Sequence, residues 1–241
     1  MADLLCEPAP PPLEPLPAPP PGLARTREAL HRLAAEVLSP AQERVNGDIH
    51  FRWTPGGFGT PVFGSGRQLR VDGATVVVTA DGASRRRPVR SLRDAASFAG
   101  LARTDVEDAP LDVDDPAARW LGSFFGFAFA LLAELAASAP DAAPIRLWPE
   151  HFDIATDFGD EAVRARATYG ASPGDADHAE PYLYVGPWVA PEPGGLWNAT
   201  GFPGAELRLG ELLAAGDQAA AARGFFATRR AALGRLGAAR A

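Results

Sequence analysis

Apolar residues recur at helical spacing once the proline-rich start of the chain is passed. Leu30, Leu33, Ala34, Val37 and Leu38 fall on one side of a 3.6-residue repeat, which predicts an amphipathic helix over residues 23–38. Ser39, Pro40 and Gln42 then stand where a cap, a first-turn proline and the polar partner of a capping box belong, so a second, short helix is expected to end near Gly47. From Asp48 the period becomes two: Ile49, Phe51 and Trp53 point one way, His50 and Arg52 the other. Residues 55–66 hold five glycines and two prolines and are expected to form a loop or irregular turns. Asp72-Gly73 and Asp81-Gly82 are hairpin-turn dipeptides on either side of an apolar strand at 75–79, predicting an antiparallel meander over about residues 67–90.

Ser91 and Asp94 make a capping box for a helix that stops at Gly100, and Asp115 with Pro116 opens a long apolar helix running to about Ala137. Gly122, Gly126 and Ala130 put small residues at successive i, i+4 positions of that helix, where another element can approach its backbone. Strands are expected again at 145–158, 161–169 and 181–189, and a terminal helix at 218–236. The pattern predicts the α+β class: an antiparallel sheet built from two β meanders, with helices packed on one face. Residues 1–22 contain nine prolines, with neither a basic start nor an apolar centre, and read as a disordered, partly polyproline II tail rather than a targeting segment. Residues 23–241 are then expected to form a single domain.

Composition narrows the function more than it shapes the fold. The hydrophobic share of 46% and charged share of 22% are ordinary for a globular chain, which argues against wholesale disorder. All 23 basic residues are arginine. Without lysine there is no Schiff-base chemistry and no lysine-bearing P-loop. Cys6 is the only cysteine, which excludes intrachain disulfides, thiolate zinc sites and iron–sulfur clusters and suits a reducing cytoplasm. The net charge of −7 disfavours a nucleic-acid partner; Arg85, Arg86 and Arg87 read as a solvated strand end. The uncharged run at 120–133 stops at Glu134, short of the roughly 20 residues a membrane span needs, so a buried helix and no membrane partner are expected.

Chemistry-bearing residues concentrate in two segments. In Leu147-Trp-Pro-Glu-His-Phe-Asp-Ile-Ala-Thr156, strand alternation would put Trp148, Phe152 and Ile154 on one face and His151 with Asp153 on the other. Those two would lie about 7 Å apart, each able to reach one ligand. Glu150 is left among apolar neighbours. The second segment, Tyr169-Gly-Ala-Ser-Pro-Gly-Asp-Ala-Asp-His178, runs on to Pro181-Tyr-Leu-Tyr-Val-Gly-Pro-Trp188, where Tyr182 and Tyr184 share a face. Gly170-Ala-Ser-Pro-Gly174 spells GxSxG, but no apolar helix follows Ser172, so a tight turn capped by Ser172 and Asp175 is expected in place of a nucleophile elbow. His151, Asp153, Asp175, Asp177 and His178 include metal-ligating types without a recognised ligand spacing. Neither a metal nor a cofactor is expected.

Three polar pairs, His50 with Arg52, His151 with Asp153 and Tyr182 with Tyr184, would line a pocket if they shared one sheet face. Arg52 would serve as the charge partner, the tyrosines as flat walls, and the histidine and carboxylate as proton-exchanging groups. The segments Thr54-Pro-Gly-Gly-Phe-Gly-Thr-Pro61, Leu147-Trp-Pro-Glu-His-Phe-Asp153 and Tyr169-Gly-Ala-Ser-Pro-Gly-Asp175, with Pro181-Tyr-Leu-Tyr-Val-Gly-Pro-Trp188, resemble motifs of an uncharacterised family of actinobacterial proteins. That resemblance brings no reaction, cofactor or catalytic residue with it. The expectation is a cytoplasmic protein that binds a small polar or anionic ligand around His151 and Asp153, with His50, Arg52, Glu150, Tyr169, Ser172, Asp175, His178, Tyr182 and Tyr184 as contacts. Two alternatives stand beside it: a hydrolase or isomerase with His151 as general base, and a non-catalytic protein-interaction module.

Overall fold

In a computed structural model that describes residues 9–101, 106–176, 178–192 and 194–238, the first helical stretch is not uniform. Helix α1 (Leu23–Leu33) passes into a π-helical segment (Ala34–Leu38), and α2 (Ser39–Asn46) follows without a break. The expected apolar stripe holds, since Leu30, Leu33, Ala34, Val37 and Leu38 are all buried. The expected cap at Ser39 does not form: its backbone is helical and its side chain buried, because the π turn carries the helix through it. Gly47 ends α2 in the left-handed region, its N–H donating to Glu43 O at 2.8 Å.

The first meander forms a sheet of its own, in the order β1 (Arg52–Thr54), β2 (Gly57–Gly59), β3 (Gln68–Asp72), β4 (Thr75–Ala80) and β5 (Ala83–Pro88). Strand β2 lies within the stretch expected to be loop; it forms because Phe58, opposite Val71, is buried in the core. The β4–β5 turn has positive φ at both Asp81 and Gly82, as a two-residue hairpin requires. Strand β5 is exposed along its whole length. Arg85 and Arg87 lie over the Phe98 ring, while Arg86 pairs with Asp72 at 2.6 Å. Ser91 caps α3 (Leu92–Phe98) by accepting from Asp94 N, as expected.

Helix α4 (Asp115–Ala136) is longer than its uncharged run. By length and composition it would suffice to cross a membrane, and 72% of its most apolar window is buried inside the protein. Its small residues are a packing device. A Cβ on Gly122 would sit 2.7–2.8 Å from backbone atoms of Gly56 and Gly57, and one on Gly126 would strike the Trp53 indole, whose Nε1 donates to Gly122 O at 3.1 Å.

Where one domain is expected over 23–241, the chain divides into two compact units: Pro19–Gly126 and Arg146–Phe152 fall in the first, Pro10–Ala18, Phe127–Ile145 and the chain from Asp153 onward in the second. The second meander supplies β6 (Arg146–Trp148), β7 (Asp153–Phe158), β8 (Ala167–Ser172), β9 (Tyr182–Pro187) and β10 (Ala205–Arg208), in sheet order β10-β9-β8-β7-β6. The α+β class is as expected, with a separate antiparallel sheet for each meander. The strand expected over 145–158 is split by a turn, and the one expected from 161 begins at Ala167, because residues 160–165 close turns on themselves. Strand β10 and helix α5 (Leu209–Ala214) have no counterpart in the sequence reading. Helix α6 (Gln218–Ala238) covers the apolar side of the sheet through Phe226, which meets Tyr169 at 6.2 Å. Within this unit, Leu16 is buried and Gln218 clasps its backbone: Leu16 N–H donates to Oε1 at 2.8 Å, and Nε2 donates to Leu16 O at 3.0 Å. Pro10–Ala18 of the proline-rich segment thus belongs to this unit, while Cys6 lies outside the described residues.

Gly122→Ala should destabilise the protein by about 1–3 kcal/mol, the range for overpacking, lowering the urea midpoint at unchanged slope. Gly224→Ala on α6, where a Cβ meets nothing within 4 Å, should leave the midpoint unchanged or raise it.

Candidate functional site

The Pro149–Phe152 turn decides where the predicted residues go. Phe152 N–H donates to Trp148 O at 2.7 Å, and Phe152 takes a left-handed backbone with φ of 52°. Its ring is buried against Phe58 at 5.1 Å and Phe125 at 5.4 Å and stacks on His31 at 5.2 Å. The His31 Nε2 lies 2.8 Å from Pro149 O. Glu150 and His151 are thereby left exposed at the tip of the turn, while Asp153 opens β7 as a buried residue. The expected His151–Asp153 pairing on one strand face does not form, because two-residue alternation ends where the turn begins.

His50 and Arg52 belong, like His151, to the first unit. The His50 Nδ1 is hydrogen-bonded to the Asp48 carboxylate, yet burial holds the imidazole below its ordinary pKa. Tyr169 is core. It stacks on Phe158 at 4.1 Å on the α6-facing side of its sheet, and burial pushes its hydroxyl up to about 12.

The remaining predicted residues meet on the other side of the second sheet. Register places Ser172 opposite Tyr182, Gly170 opposite Tyr184, Tyr184 opposite Glu206 and Tyr182 opposite Arg208. Asp153, one residue before Ile154↔Ala171, continues the same row. Alternation puts all of these on one face, with Leu183, Val185, Ala171 and Ile154 on the apolar one. Gly170 is required here. A Cβ at that position would lie 2.5–2.6 Å from the Tyr184 ring, so only glycine lets the ring lie across β8 toward Asp153. The Tyr184 hydroxyl donates to Asp153 Oδ2. Burial first, and the Asp153 charge second, raise the Tyr184 pKa well above its usual value, which keeps the phenol a neutral donor.

His178 is brought over this face by a short clasp: Asp175 N–H donates to His178 O at 2.8 Å, and His178 N–H donates to Asp175 Oδ1 at 2.7 Å. Its ring lies 4.5 Å from Tyr182, and its Nε2 is 3.0 Å from Glu206 Oε2. Glu206 is almost fully buried, with Oε1 accepting from Arg208 Nε at 2.8 Å. Asn198 pairs with the Glu206 backbone at both N–H and C=O. Phe202 closes the cluster, 6.0 Å from Tyr184. Ser172 accepts from Gly174 N–H at 3.1 Å in a turn, as expected, and hydrogen-bonds Tyr182. Glu206, Arg208 and Phe202 escape the sequence reading. The signal for the first two is the alternation Ala205-Glu206-Leu207-Arg208, too short to mark a strand by itself.

Among the described residues no group of three or more His, Cys, Asp or Glu side chains is placed to hold a metal ion; Asp177 lies outside them. Comparison of the chain with protein-family models, with curated proteins and with solved structures finds no match.

The pKa values of all three tyrosines, Tyr169, Tyr182 and Tyr184, are raised, in each case chiefly by burial. The folded protein thus holds protons that the unfolded chain releases near pH 10. Their contribution to stability is complete below that pH and is lost as pH rises through the folded-state values. A spectrophotometric titration should show no phenolate absorbance appearing near pH 10 while the protein is folded, and a phenolate signal at higher pH that coincides with unfolding by circular dichroism.

Proposed function

We propose that the polar face of the second sheet binds a small polar ligand, with Asp153, Tyr182, Tyr184, His178 and Glu206 as its principal contacts. The observation that carries this reading is the placement of two buried carboxylates, Asp153 and Glu206, among half-buried phenols and an imidazole. Burying such groups is costly, and a cluster of them held on one sheet face suits recognition better than core packing does. The charge balance favours a ligand rich in hydrogen-bond donors or positively charged. Asp153, Asp157 and Glu206 share this side with Arg208 alone among the arginines of β7–β10, and Asp175 holds the loop above it. Tyrosine faces beside carboxylates are the usual surroundings of a bound ammonium group.

One observation favours a second reading, general acid–base catalysis of a hydrolase or isomerase type. The His178 Nε2 lies 3.0 Å from the buried Glu206 carboxylate, which leaves Nδ1 for proton transfer, an imidazole–carboxylate contact of the kind found at general bases. In that reading His178 takes the role first expected of His151.

A thermal-shift screen of amines, amino acids and polyols tests the binding reading. A ligand at a hundred times its Kd should add about 2.7 kcal/mol to folded-state stability. The shift should be absent in Asp153→Asn and in Tyr182→Ala and unchanged in His151→Ala. A shift that survives both of the first two changes, or that His151→Ala abolishes, rules this face out as the binding site.

A further inference from the structure

A groove of about 570 Å³ lies between the C-terminal part of α4 and helix α6, both within the second unit, and is independent of the reading above. Its apolar lining is Leu131 and Leu135 from α4 with Phe226, Ala227 and Ala231 from α6. Leu131 and Phe226 are buried and form the floor, whereas Ala227 and Ala231 are exposed. The sequence explains why the two helices do not close over it. Residues one turn apart, Leu131 with Leu135 and Ala227 with Ala231, share a helix face, but the α6 pair carries only methyl groups where longer side chains would fill the space.

Two polar clasps join α4 to α6 along this groove. In one, Arg223 donates to both oxygens of Glu134, from Nε at 2.7 Å and from Nη2 at 2.9 Å. In the other, Arg230 donates to Ser138 just beyond α4, from Nη1 to Oγ at 2.6 Å and from Nη2 to the backbone O at 3.0 Å. All four of these residues line the groove, and the two arginines are about 10 Å apart along the helix. The clasps differ in charge. Arg223 answers Glu134 and holds its carboxyl below the ordinary carboxylate range. Arg230 is fixed by two neutral acceptors, and among the described residues no carboxylate forms an ion pair with it. An apolar trough thus carries one cation at its rim whose charge is not matched.

We propose that this groove binds a single-chain fatty acid, with the alkyl chain along Leu131, Leu135, Phe226, Ala227 and Ala231 and the carboxylate on Arg230. The volume is that of a small-molecule site, for which about 300–1,000 Å³ is usual. A helix laid along the groove would need anchors at i, i+3, i+4 and i+7 over an unobstructed length, and the Glu134–Arg223 and Ser138–Arg230 clasps both cross between α4 and α6 within about two turns. An alkyl chain has no such requirement. Arginine has five N–H donors, of which Ser138 takes two, so donors and a full charge remain for a carboxylate. A cationic head group would meet that same charge, with Glu134 already engaged.

Dodecanoate titrated into the full chain below its micelle-forming concentration tests this by calorimetry and by melting temperature, with octanoate and dodecyltrimethylammonium as comparisons. The expected result is saturable binding of one dodecanoate per chain with a rise in Tm. Each methylene removed should weaken binding about fourfold, the effect of one buried CH₂, which makes octanoate about 200-fold weaker. Arg230→Gln should weaken dodecanoate by about tenfold or more, the loss of a charge-assisted contact. Ala227→Leu and Ala231→Leu, which fill the groove, should each abolish binding while the unliganded protein melts no lower than the wild type. Asp153→Asn should bind dodecanoate as the wild type does, which separates this site from the second-sheet cluster. Absence of saturable binding by the wild type overturns the proposal, as does binding that survives in both leucine variants. Dodecyltrimethylammonium binding as tightly as dodecanoate overturns the role given to Arg230. A wild-type dimer in sedimentation that Ala227→Glu converts to monomer makes the groove a contact between copies of the chain and overturns the assignment to a fatty acid.

Discussion

A bulky L-residue in the left-handed region costs about 1–2 kcal/mol, and Phe152 is held there by aromatic burial on three sides, against Phe58, Phe125 and the stacked ring of His31. Burying a phenylalanine side chain contributes about 1.5–3 kcal/mol, enough to offset the strain. That balance governs the layout of the polar residues on either side. Even-numbered positions before the turn, Arg146 and Trp148, flank buried Leu147 and stay half-exposed; after it, the even positions Ile154 and Phe158 are the apolar ones, and Asp153 joins the polar row. The turn inverts the phase of the chain between two strands that are close in sequence.

That inversion also explains how far the sequence could be read. Where one period ran unbroken, as in the Asp72 to Pro88 meander, the Ser91 cap or the Tyr182–Pro187 strand, pattern and structure agree, because side-chain alternation and turn chemistry are local. The pairing of His151 with Asp153 failed because it assumed continuous alternation, and nothing in Pro149-Glu150-His151 marks Phe152 as left-handed; that conformation is imposed by aromatic partners distant in sequence. Glu206 was missed for the same reason: a four-residue strand has too few positions to show a period, and its burial follows from pairing with β9. Ser172, Asp175, His178, Tyr182 and Tyr184, all named from the sequence, lie on one side of the second sheet, since each is on or beside a strand whose register the sequence specifies.

The polar residues sort by charge as well as by place. Arg52 and Arg146 gather with His50 around Trp148, whereas Asp153 and Glu206 gather with tyrosines and His178. One pocket holding both sets would have neutralised itself. The absence of lysine makes the cationic set rigid in character, since every arginine is a planar fork suited to paired acceptors.

The exposed strand β5 bears on a different property. It is the last strand of the first sheet, an edge on which another strand could be laid. Arg85, Arg86 and Arg87 stand in consecutive places along it, so a second copy approaching edge to edge would bring guanidinium groups against their counterparts on both faces of the strand. The side chains that rest on Phe98 and Asp72 within a single molecule thus also act as a barrier to self-association, and the sheet can end in solvent without becoming a template for aggregation.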